Sequence, residues 1–270
     1  MTDDEIISNP AYKFLQGSAA FDKTKTAHKN GKHLKKVVIA IQARSTSERL
    51  PRKVFELIDG KTMLEHVVDR CKEAQRYLNN HTHKTGVGVH VAIVCPYGDP
   101  IAREFTGLCP IIEGPEHDVL TRYHICAESM DADYIVRITS DCPLIPNFVI
   151  SKMIKIATIN EADYTSNVFP EVRTACDGVD CEVISRKAID WSNATAKNQK
   201  DREHVTTIIR HSAPKEFKIH HIVGFFQLSH IKLSVDTQED LERVRAEFST
   251  VKKCAEVAER MHGKYSVHRF

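Results

Sequence analysis

The segment Val37–Val54, VVIAIQARSTSERLPRKV, decides the fold of this chain. It opens with the short apolar run Val37–Ile41, which is rich in β-branched side chains. Such a run is too short for a helix and is typical of a strand buried in a parallel sheet. It is followed by four cations and three hydroxyls: Arg44, Arg49, Arg52, Lys53, Ser45, Thr46 and Ser47. Open α/β sheets bind ligands at the carboxyl ends of their strands, so this loop predicts a polyanion site. A solvated basic loop is the alternative that composition alone favours.

Strands and helices alternate outward from this segment through the first half of the chain. The clearest helix is Thr62–Leu78, where apolar residues recur on one face and Thr62 and Glu65 have the spacing of a capping box. Further strands are predicted at 89–95, 110–112 and 134–139, and further helices at 101–106, 119–130 and 146–158. Asp118 is a possible cap of the helix that begins at Val119. The alternation predicts a mostly parallel sheet with helices on both faces.

The second half of the chain has a more mixed pattern. It predicts strands at 163–167, 178–185, 217–223 and 231–234, and helices at 186–197, 202–211 and 237–248. Alternation places Asp180 and Glu182 on one face of the strand 178–185. On that face the two carboxylates either orient hydroxyl groups of a substrate that accepts a transferred group, or ligate a metal, or are simply exposed to solvent.

Length and composition indicate one large domain. Of the 270 residues, we assign 34–250 to the domain, 1–33 to a flexible N-terminal extension and 251–270 to a C-terminal tail that is partly helical. The net charge of +2 argues against a general nucleic-acid binder. There is no apolar run of the ~20 residues that a membrane span needs, and no signal-peptide pattern, so we expect a cytoplasmic protein without membrane partners. The eight cysteines form no C-x-x-C pair, which favours buried reduced thiols over disulfides or zinc.

Acidic residues follow two of the predicted strands. Asp141 comes directly after the strand 134–139, where a carboxylate can hold Mg²⁺ against substrate phosphates. The alternative, a cap for the helix at Pro146, is weak because five residues separate the two. Asp236 precedes the helix start formed by Thr237 and Asp240, so it is free to complete a metal site with two carboxylates. His204 could contact a substrate acid, although a lone histidine on a helix is more often structural.

The chain lacks several well-known site motifs. It contains no G-x-x-x-x-G-K-[ST] of the phosphate-loop NTPases and no G-x-G-x-x-G after a strand. It also contains no G-x-S-x-G and no H-E-x-x-H. These absences argue against the phosphate-loop enzymes, the dinucleotide-binding enzymes, the α/β-hydrolases and the zincin proteases.

Seven motifs in order resemble the cytidylyltransferases, the family that includes the enzymes making CMP-KDO and CMP-sialic acid. Ala43-Arg44-x-x-Ser47-x-Arg49-Leu50-Pro51-x-Lys53 is similar to the nucleotide-binding signature of that family. The other six are DVLxRY (118–123), VRITSDCPLI (136–145), DYxSN (163–167), GxDxE (178–182), REHVT (202–206) and VDTxxDL (235–241). The branch that the chain resembles most is the spore-coat polysaccharide biosynthesis cytidylyltransferase-like proteins.

The resemblance implies a Rossmann-like, glycosyltransferase-A type α/β/α sandwich that transfers CMP from CTP to an acceptor and releases pyrophosphate. The acceptor would be an acidic sugar or a small phosphate or phosphonate, used in surface polysaccharide or glycoconjugate synthesis. Mg²⁺ would be held by Asp141 and Asp236, which with Arg44 and Lys53 form the catalytic set. The triphosphate would be held by Arg44, Ser47, Arg49, Lys53 and Arg137. The substrate contacts would be Asp118, Arg122, Asp180, Glu182, Arg202 and His204. Beside the resemblance, we hypothesise that Arg173, Arg202 and His204 are the cations and donors on the acceptor side. Relatives of this kind are commonly homodimers.

The chain departs from the family pattern in the basic loop 44–53, to which the resemblance assigns the triphosphate. Thr46 and Arg52 stand where the family has glycine, and Glu48 replaces a small hydroxyl residue. Cys95 and Pro96 replace the small polar residues expected after the second strand. Two alternatives therefore stay open. One is a glycosyltransferase of the same fold that uses a nucleotide sugar, against which the missing D-x-D counts. The other is a nucleotide-binding homologue without activity.

Overall fold

The structure is a computed structural model that describes residues 34–169, 173–223 and 228–250. Its centre is β1 (Lys35–Gln42), which contains the apolar run that opens the deciding segment. All five residues of that run are completely buried. The predicted extension 1–33 and tail 251–270 lie outside the described residues.

A seven-stranded sheet has the order β5-β4-β1-β6-β8-β7-β9. Its other strands are β4 (Val87–Pro96), β5 (Ile111–Gly114), β6 (Tyr134–Thr139), β7 (Tyr164–Ser166), β8 (Glu182–Ser185) and β9 (Ile219–His221). A separate hairpin is formed by β2 (Leu57–Ile58) and β3 (Lys61–Thr62). Within the seven-stranded sheet, β8 pairs antiparallel with both of its neighbours, and the remaining described pairs are parallel. The prediction of a mostly parallel mixed sheet is confirmed.

Helices cover both faces of the sheet. In chain order they are α1 (Met63–Asn79), α2 (Thr82–Thr85), α3 (Ile101–Glu104), α4 (Val119–Ser129), α5 (Asn147–Asn160), α6 (Arg186–Thr195), α7 (Gln199–His204), α8 (Thr207–Ser212) and α9 (238–250). One core cluster joins α1, α3 and α5 to odd-numbered residues of β1. A second joins α4, α6 and α8 to its even-numbered residues Val38 and Ala40. A third packs α9 against the hairpin and holds Val235 in place.

Local signals set the helix ends where the sequence predicts them. Thr62 and Glu65 form a capping box at α1, and Asp118 caps α4 by accepting a hydrogen bond from the Thr121 N–H. Six of the seven described cysteines are buried and all seven are free thiols, which confirms the prediction for the described part of the chain. No helix among the described residues is long and apolar enough to cross a membrane.

Two predicted strands of the second half are wrong in extent. The predicted strand 178–185 is regular only as β8, because Gly178 adopts φ +102° and packs against the neighbouring segment. A Cβ at Gly178 would lie 2.5 Å from the Ser234 nitrogen, so the two backbones are in close contact. The predicted strand 231–234 is reduced to an isolated bridge between Asp177 and Lys232. Asp180 therefore precedes the strand and does not share a strand face with Glu182.

The predicted helix 202–211 is broken in two at Val205. This residue has φ 62° and ψ −60°, which is the geometry of a strained γ-turn. The Thr206 N–H donates to the His204 carbonyl oxygen across the turn. The apolar side chain of Val205 is buried in the second core, so packing compensates for a backbone conformation that a helix pattern cannot predict.

Candidate active site

Three chain segments meet at the carboxyl end of the central strands. The Ser140 N–H donates to the Gln42 carbonyl oxygen, which aligns the ends of β1 and β6. The Val235 N–H donates to the Asp141 carbonyl oxygen at 2.9 Å, which brings the start of α9 to the same edge. Asp141 and Asp236 are thereby neighbours, as the two-carboxylate prediction requires.

An ion cluster connects these segments, formed by Arg49, Lys53, Asp141, Lys232 and Asp236. The Lys53 Nζ atom lies 3.1 Å from Asp141 Oδ2 and 3.3 Å from Asp236 Oδ1, and it donates to the Val235 carbonyl at 2.9 Å. Arg49 Nη2 lies 2.9 Å from Asp236 Oδ1. Lys232 Nζ lies 3.3 Å from Asp236 Oδ2. Two carboxylates thus share three cations.

The electrostatics keep Asp141 ionised. Burial alone would raise the pKa of Asp141, but the Lys53 ammonium and hydrogen bonds from neighbouring side chains outweigh burial and hold this pKa below its ordinary value. The Lys53 side chain is only 13% exposed, whereas that of Arg49 is 66% exposed. The cluster therefore has a buried centre at Lys53 and a cation at its surface.

Asp141 and Asp236 fit a hard divalent cation. Both carboxylates lie within 3.3 Å of one nitrogen, and oxygen donors are what Mg²⁺ prefers. Among the described residues no group of three or more His, Cys, Asp or Glu could hold a metal. Two protein carboxylates suit an ion that takes its remaining ligands from water and substrate phosphates, as Mg²⁺ commonly does.

The basic loop 44–53 is held in place by an acidic residue that the sequence analysis did not single out. Asp99 is buried after β4, and its Oδ2 accepts hydrogen bonds from both the N–H and the hydroxyl of Ser45. The Arg52 N–H closes the loop by donating to the Ser45 carbonyl.

Arg44 is exposed and has no ion-pair partner among the described residues. Ser47 lies on the same loop and donates its N–H back to Ser45. The signal for Asp99 is the turn sequence Gly98-Asp99-Pro100, which begins three residues after the end of the strand predicted at 89–95.

The two residues that replace family glycines tie the loop to its surroundings. Thr46 Oγ1 donates to Glu116 Oε1 at 3.0 Å, across to the loop after β5. Arg52 has φ 57°, the left-handed region that favours glycine. Its guanidinium lies over the Phe55 ring and 3.5 Å from Glu104 Oε1. Glu48 is exposed.

Arg122 is a buried cation at the ends of β4 and β5. It is 1% exposed and packs against Gly114, and burial lowers its pKa. Its Nε and Nη1 atoms have no hydrogen-bond acceptor among the described residues, and Nη2 makes only a 3.5 Å contact with the Glu116 carbonyl. A buried guanidinium with free donors is costly, so such a group is a candidate for binding a ligand.

Arg137 and Glu182, which the sequence predicts as separate ligand contacts, bind each other in this structure. Arg137 Nη1 donates to Glu182 Oε2 at 2.7 Å across β6 and β8. The other oxygen of Glu182 accepts from the Tyr164 hydroxyl. Burial alone would raise the pKa of Glu182. The charge of Arg137 and hydrogen bonds from Tyr164 and Thr206 outweigh burial and hold this pKa below its ordinary value. The geometry favours a structural role for this pair, because its charges are already matched.

Among the remaining predicted contacts, some side chains are paired with other protein groups and one is exposed without a hydrogen-bond partner among the described residues. Arg173 binds Asp180 at 2.6 Å, and burial raises the pKa of Asp180 to about 6 even so. Arg202 bonds to Asn193 and lies 3.4 Å from Asp118, which ties α7 to the start of α4. His204 is exposed, and its ring has no hydrogen-bond partner within the described ranges. The sequence reasoning also missed Lys232, which no motif marks.

The chain matches the family model described as Cytidylyltransferase over residues 38–265. It is 27% identical to the spore coat polysaccharide biosynthesis protein SpsF of Bacillus subtilis over 214 residues, which cover 78% of this chain and 85% of that protein. A cytidylyltransferase structure from Leptospira borgpetersenii superposes with a TM-score of 0.70 at 23% identity, covering 87% of this chain and 99% of that one. CMP:2-keto-3-deoxy-manno-octonic acid synthetase, solved with CTP, superposes with a TM-score of 0.58 at 17% identity, covering 80% and 99%.

These matches define the class of the protein. The fold is the α/β fold of the cytidylyltransferase structures, as the sequence motifs predict. The chain belongs to the cytidylyltransferase family and is a nucleotidyltransferase.

Proposed function

We propose that this protein transfers CMP from CTP to an anionic acceptor, with Mg²⁺ held by Asp141 and Asp236. The observation that carries the proposal is the ion cluster, in which Lys53 joins two carboxylates beside the loop that contains Arg44 and Arg49. Membership of the family supports nucleotidyl transfer. The solved relative in complex with CTP supports that nucleotide as the donor.

Three of the four basic residues of the loop have a role in this reaction. Arg44, Arg49 and Lys53 bind the triphosphate, and Ser47 donates a hydrogen bond to it. An acceptor oxygen attacks the α-phosphorus, as an anionic oxygen of a phosphate or phosphonate or as a sugar hydroxyl that loses its proton to solvent. The bond from that phosphorus to the bridging oxygen breaks, and pyrophosphate leaves with the charge that these cations neutralise. Bound Mg²⁺ supplies a Lewis acid beside the phosphates. Positioning supplies most of the acceleration, because the protein forms no covalent bond.

Arg122 supports recognition of the base at the ends of β4 and β5. A guanidinium offers only hydrogen-bond donors, and Nε and Nη1 of Arg122 are free among the described residues. Cytosine presents adjacent acceptors at O2 and N3, whereas N3 of uracil is a donor. In this proposal Arg122 therefore favours CTP over UTP.

The acceptor is an acidic sugar or a small phosphate or phosphonate. Arg173 and Asp180 are the candidate contacts on its side, because Asp180 follows Gly178, whose backbone packs against the segment that leads to Asp236. His204 is a further candidate, while the donors of Arg202 are already engaged. The relative SpsF supports a role in surface polysaccharide or glycoconjugate precursor synthesis. We further propose a homodimer, which light scattering tests.

Pyrophosphate release tests the reaction. CTP, UTP, ATP and GTP are each combined with Mg²⁺ and a panel of KDO, sialic acids, sugar phosphates and aminoalkylphosphonates. We expect release with CTP and one acceptor class, reduced roughly 100-fold or more in Asp141→Asn and retained in Glu247→Gln, an exposed control on α9. No release above Asp141→Asn with any pair contradicts the proposal. Transfer from a nucleotide sugar without use of CTP points instead to a glycosyltransferase.

A further inference from the structure

In this structure the groups proposed to bind the metal and the groups proposed to bind the triphosphate are bound to each other. Lys53 and Arg49 contact Asp236, and Lys53 also contacts Asp141. We propose that metal and nucleotide bind this site with strong positive coupling, because each releases the groups that the other needs. This inference rests on the proposed function and assigns Arg49 a second role as a competitor of the metal.

A metal ion that binds alone meets cations already in place. Asp236 contacts three of them, at 2.9 Å for Arg49 and 3.3 Å for both Lys53 and Lys232. A divalent ion at Asp141 and Asp236 must displace Lys53 or lie beside it. Repulsion between like charges at such distances opposes binding, so the affinity for metal alone is low.

A triphosphate that binds alone meets the opposite obstacle. It must draw Arg49 and Lys53 away from the carboxylates, which leaves Asp141 and Asp236 without these partners beside a polyanion. When metal and triphosphate arrive together, the metal replaces the cations at the carboxylates and the phosphates replace the carboxylates at the cations. The exchange leaves every charge matched, and by linkage each ligand raises the affinity for the other by the same factor.

Lys232 behaves differently from Arg49. Its Nζ lies 2.6 Å from Asp240 Oδ2 as well as 3.3 Å from Asp236. Asp240 in turn accepts hydrogen bonds from the N–H groups of Asp236 and Thr237 at the start of α9. Lys232 is thus anchored to the helix start and positions Asp236, whereas the side chain of Arg49 is 66% exposed and contacts only Asp236 among the carboxylates of the cluster.

Binding measurements without acceptor test the coupling. Mn²⁺ serves as the probe metal, followed by paramagnetic resonance, and CTP binding is followed by calorimetry with EDTA and then with Mn²⁺, the Mn²⁺–CTP complex in solution being taken into account. We expect each ligand to raise the affinity for the other by about tenfold or more, within the usual range of coupling energies. Independent binding, or no Mn²⁺ binding even with CTP present, overturns the inference.

The variant Arg49→Gln separates competition from simple support of the fold. It removes a cation from Asp236, so we expect Mn²⁺ alone to bind about two- to fivefold more tightly, as the energy of an exposed ion pair implies, while CTP alone binds more weakly. Arg44→Gln is the matched control: a cation of the same loop with no ion-pair partner among the described residues. It weakens CTP binding and leaves the affinity for Mn²⁺ unchanged. Weaker or unchanged Mn²⁺ binding in Arg49→Gln contradicts the inference.

The outcome is separable from that of the proposed function. Coupled binding without pyrophosphate release from any acceptor supports the exchange of partners and contradicts the transfer reaction. Pyrophosphate release with independent binding of Mn²⁺ and CTP supports the reaction and overturns the coupling.

Discussion

Two groups of opposite charges in this protein have similar distances and different consequences. In the ion cluster at the strand ends, three cations share Asp141 and Asp236, and one side is open to solvent through Arg49. In the pair of Arg137 and Glu182 inside the sheet, the carboxylate is 2% exposed and both of its oxygens are bonded. A charged motif residue is available to a ligand when, as in the ion cluster, the cations outnumber the carboxylates they contact and one side is exposed to solvent. A closed, matched pair serves the fold.

The largest effect is expected from breaking the closed pair. Arg137→Met leaves the buried Glu182 carboxylate without its cation, which costs about 3–5 kcal/mol of the free energy of unfolding. Urea unfolding of the purified variant measures this loss. The double variant Arg137→Met/Glu182→Leu removes both charges and is expected to recover part of it. A loss below about 1 kcal/mol in Arg137→Met would show that the pair does not hold the sheet.

Gly178→Ala is expected to have the next largest effect, because Gly178 packs against the segment that leads to Asp236. Gly178 has φ +102°, and an added Cβ would meet backbone atoms of Leu233 and Ser234 at 2.6 and 2.5 Å. Strain of this kind costs about 1–3 kcal/mol and displaces the segment that leads to Asp236. Thermal unfolding measures the loss. Gly88→Ala, where the added Cβ meets nothing within 4 Å, is the control. Equal stability of the two variants would contradict the close packing.

Lys53→Met is expected to reverse the direction of the Asp141 pKa shift. With Lys53 removed, burial is the largest remaining influence, and we expect it to outweigh the hydrogen bonds from Thr139 and Cys142 and to raise the pKa of Asp141 above its ordinary value. In the wild type the depressed pKa contributes stability above the unfolded pKa, and this contribution is lost as pH falls through the folded pKa. In the variant the contribution of Asp141 to the free energy of unfolding is instead present at low pH and is lost as pH rises through the raised pKa. Titration of the Asp141 carboxyl carbon by NMR measures the change, and a pKa still below normal would contradict the role of Lys53.

The smallest effect is expected from Arg52→Gly. Glycine relieves a left-handed backbone worth about 1 kcal/mol, but the change also removes the contact over Phe55 and the exposed ion pair with Glu104. These terms nearly cancel, so urea unfolding should give a difference within about 1 kcal/mol. A larger loss would mean that the side-chain contacts dominate and that this chain depends on arginine at a glycine position.

The parallel half of the fold and the main site residues were predictable from sequence. Apolar runs such as Val37–Ile41 and strong caps such as Thr62 and Asp118 are local signals, and strand ends in a parallel sheet must meet at one edge. Asp141 follows such a strand, whereas Asp236 follows only an isolated bridge, and Lys53 was grouped with them through the resemblance of the motifs to the family.

The second half was less predictable because tertiary contacts decide it. Nothing local announces that Val205 breaks a helix, or that Gly178 presses against Ser234 and shortens a strand. The pairing of Arg137 with Glu182 depends on the antiparallel register of β6 and β8, and that register follows from the topology. Lys232 joins the site only through the same long-range packing.

The most direct test of the difference between the two charge groups is the turnover number for CTP-dependent pyrophosphate release. It is measured per folded molecule, with the acceptor that the panel identifies, for Asp141→Asn and Glu182→Gln at a temperature where both are folded. We expect Asp141→Asn to lose roughly 100-fold or more, since a metal site stabilises the transition state by several kcal/mol, and Glu182→Gln to stay within about tenfold of the wild type. Full turnover in Asp141→Asn, with the loss in Glu182→Gln instead, would place the chemistry at the buried pair and contradict the assignment of the ion cluster.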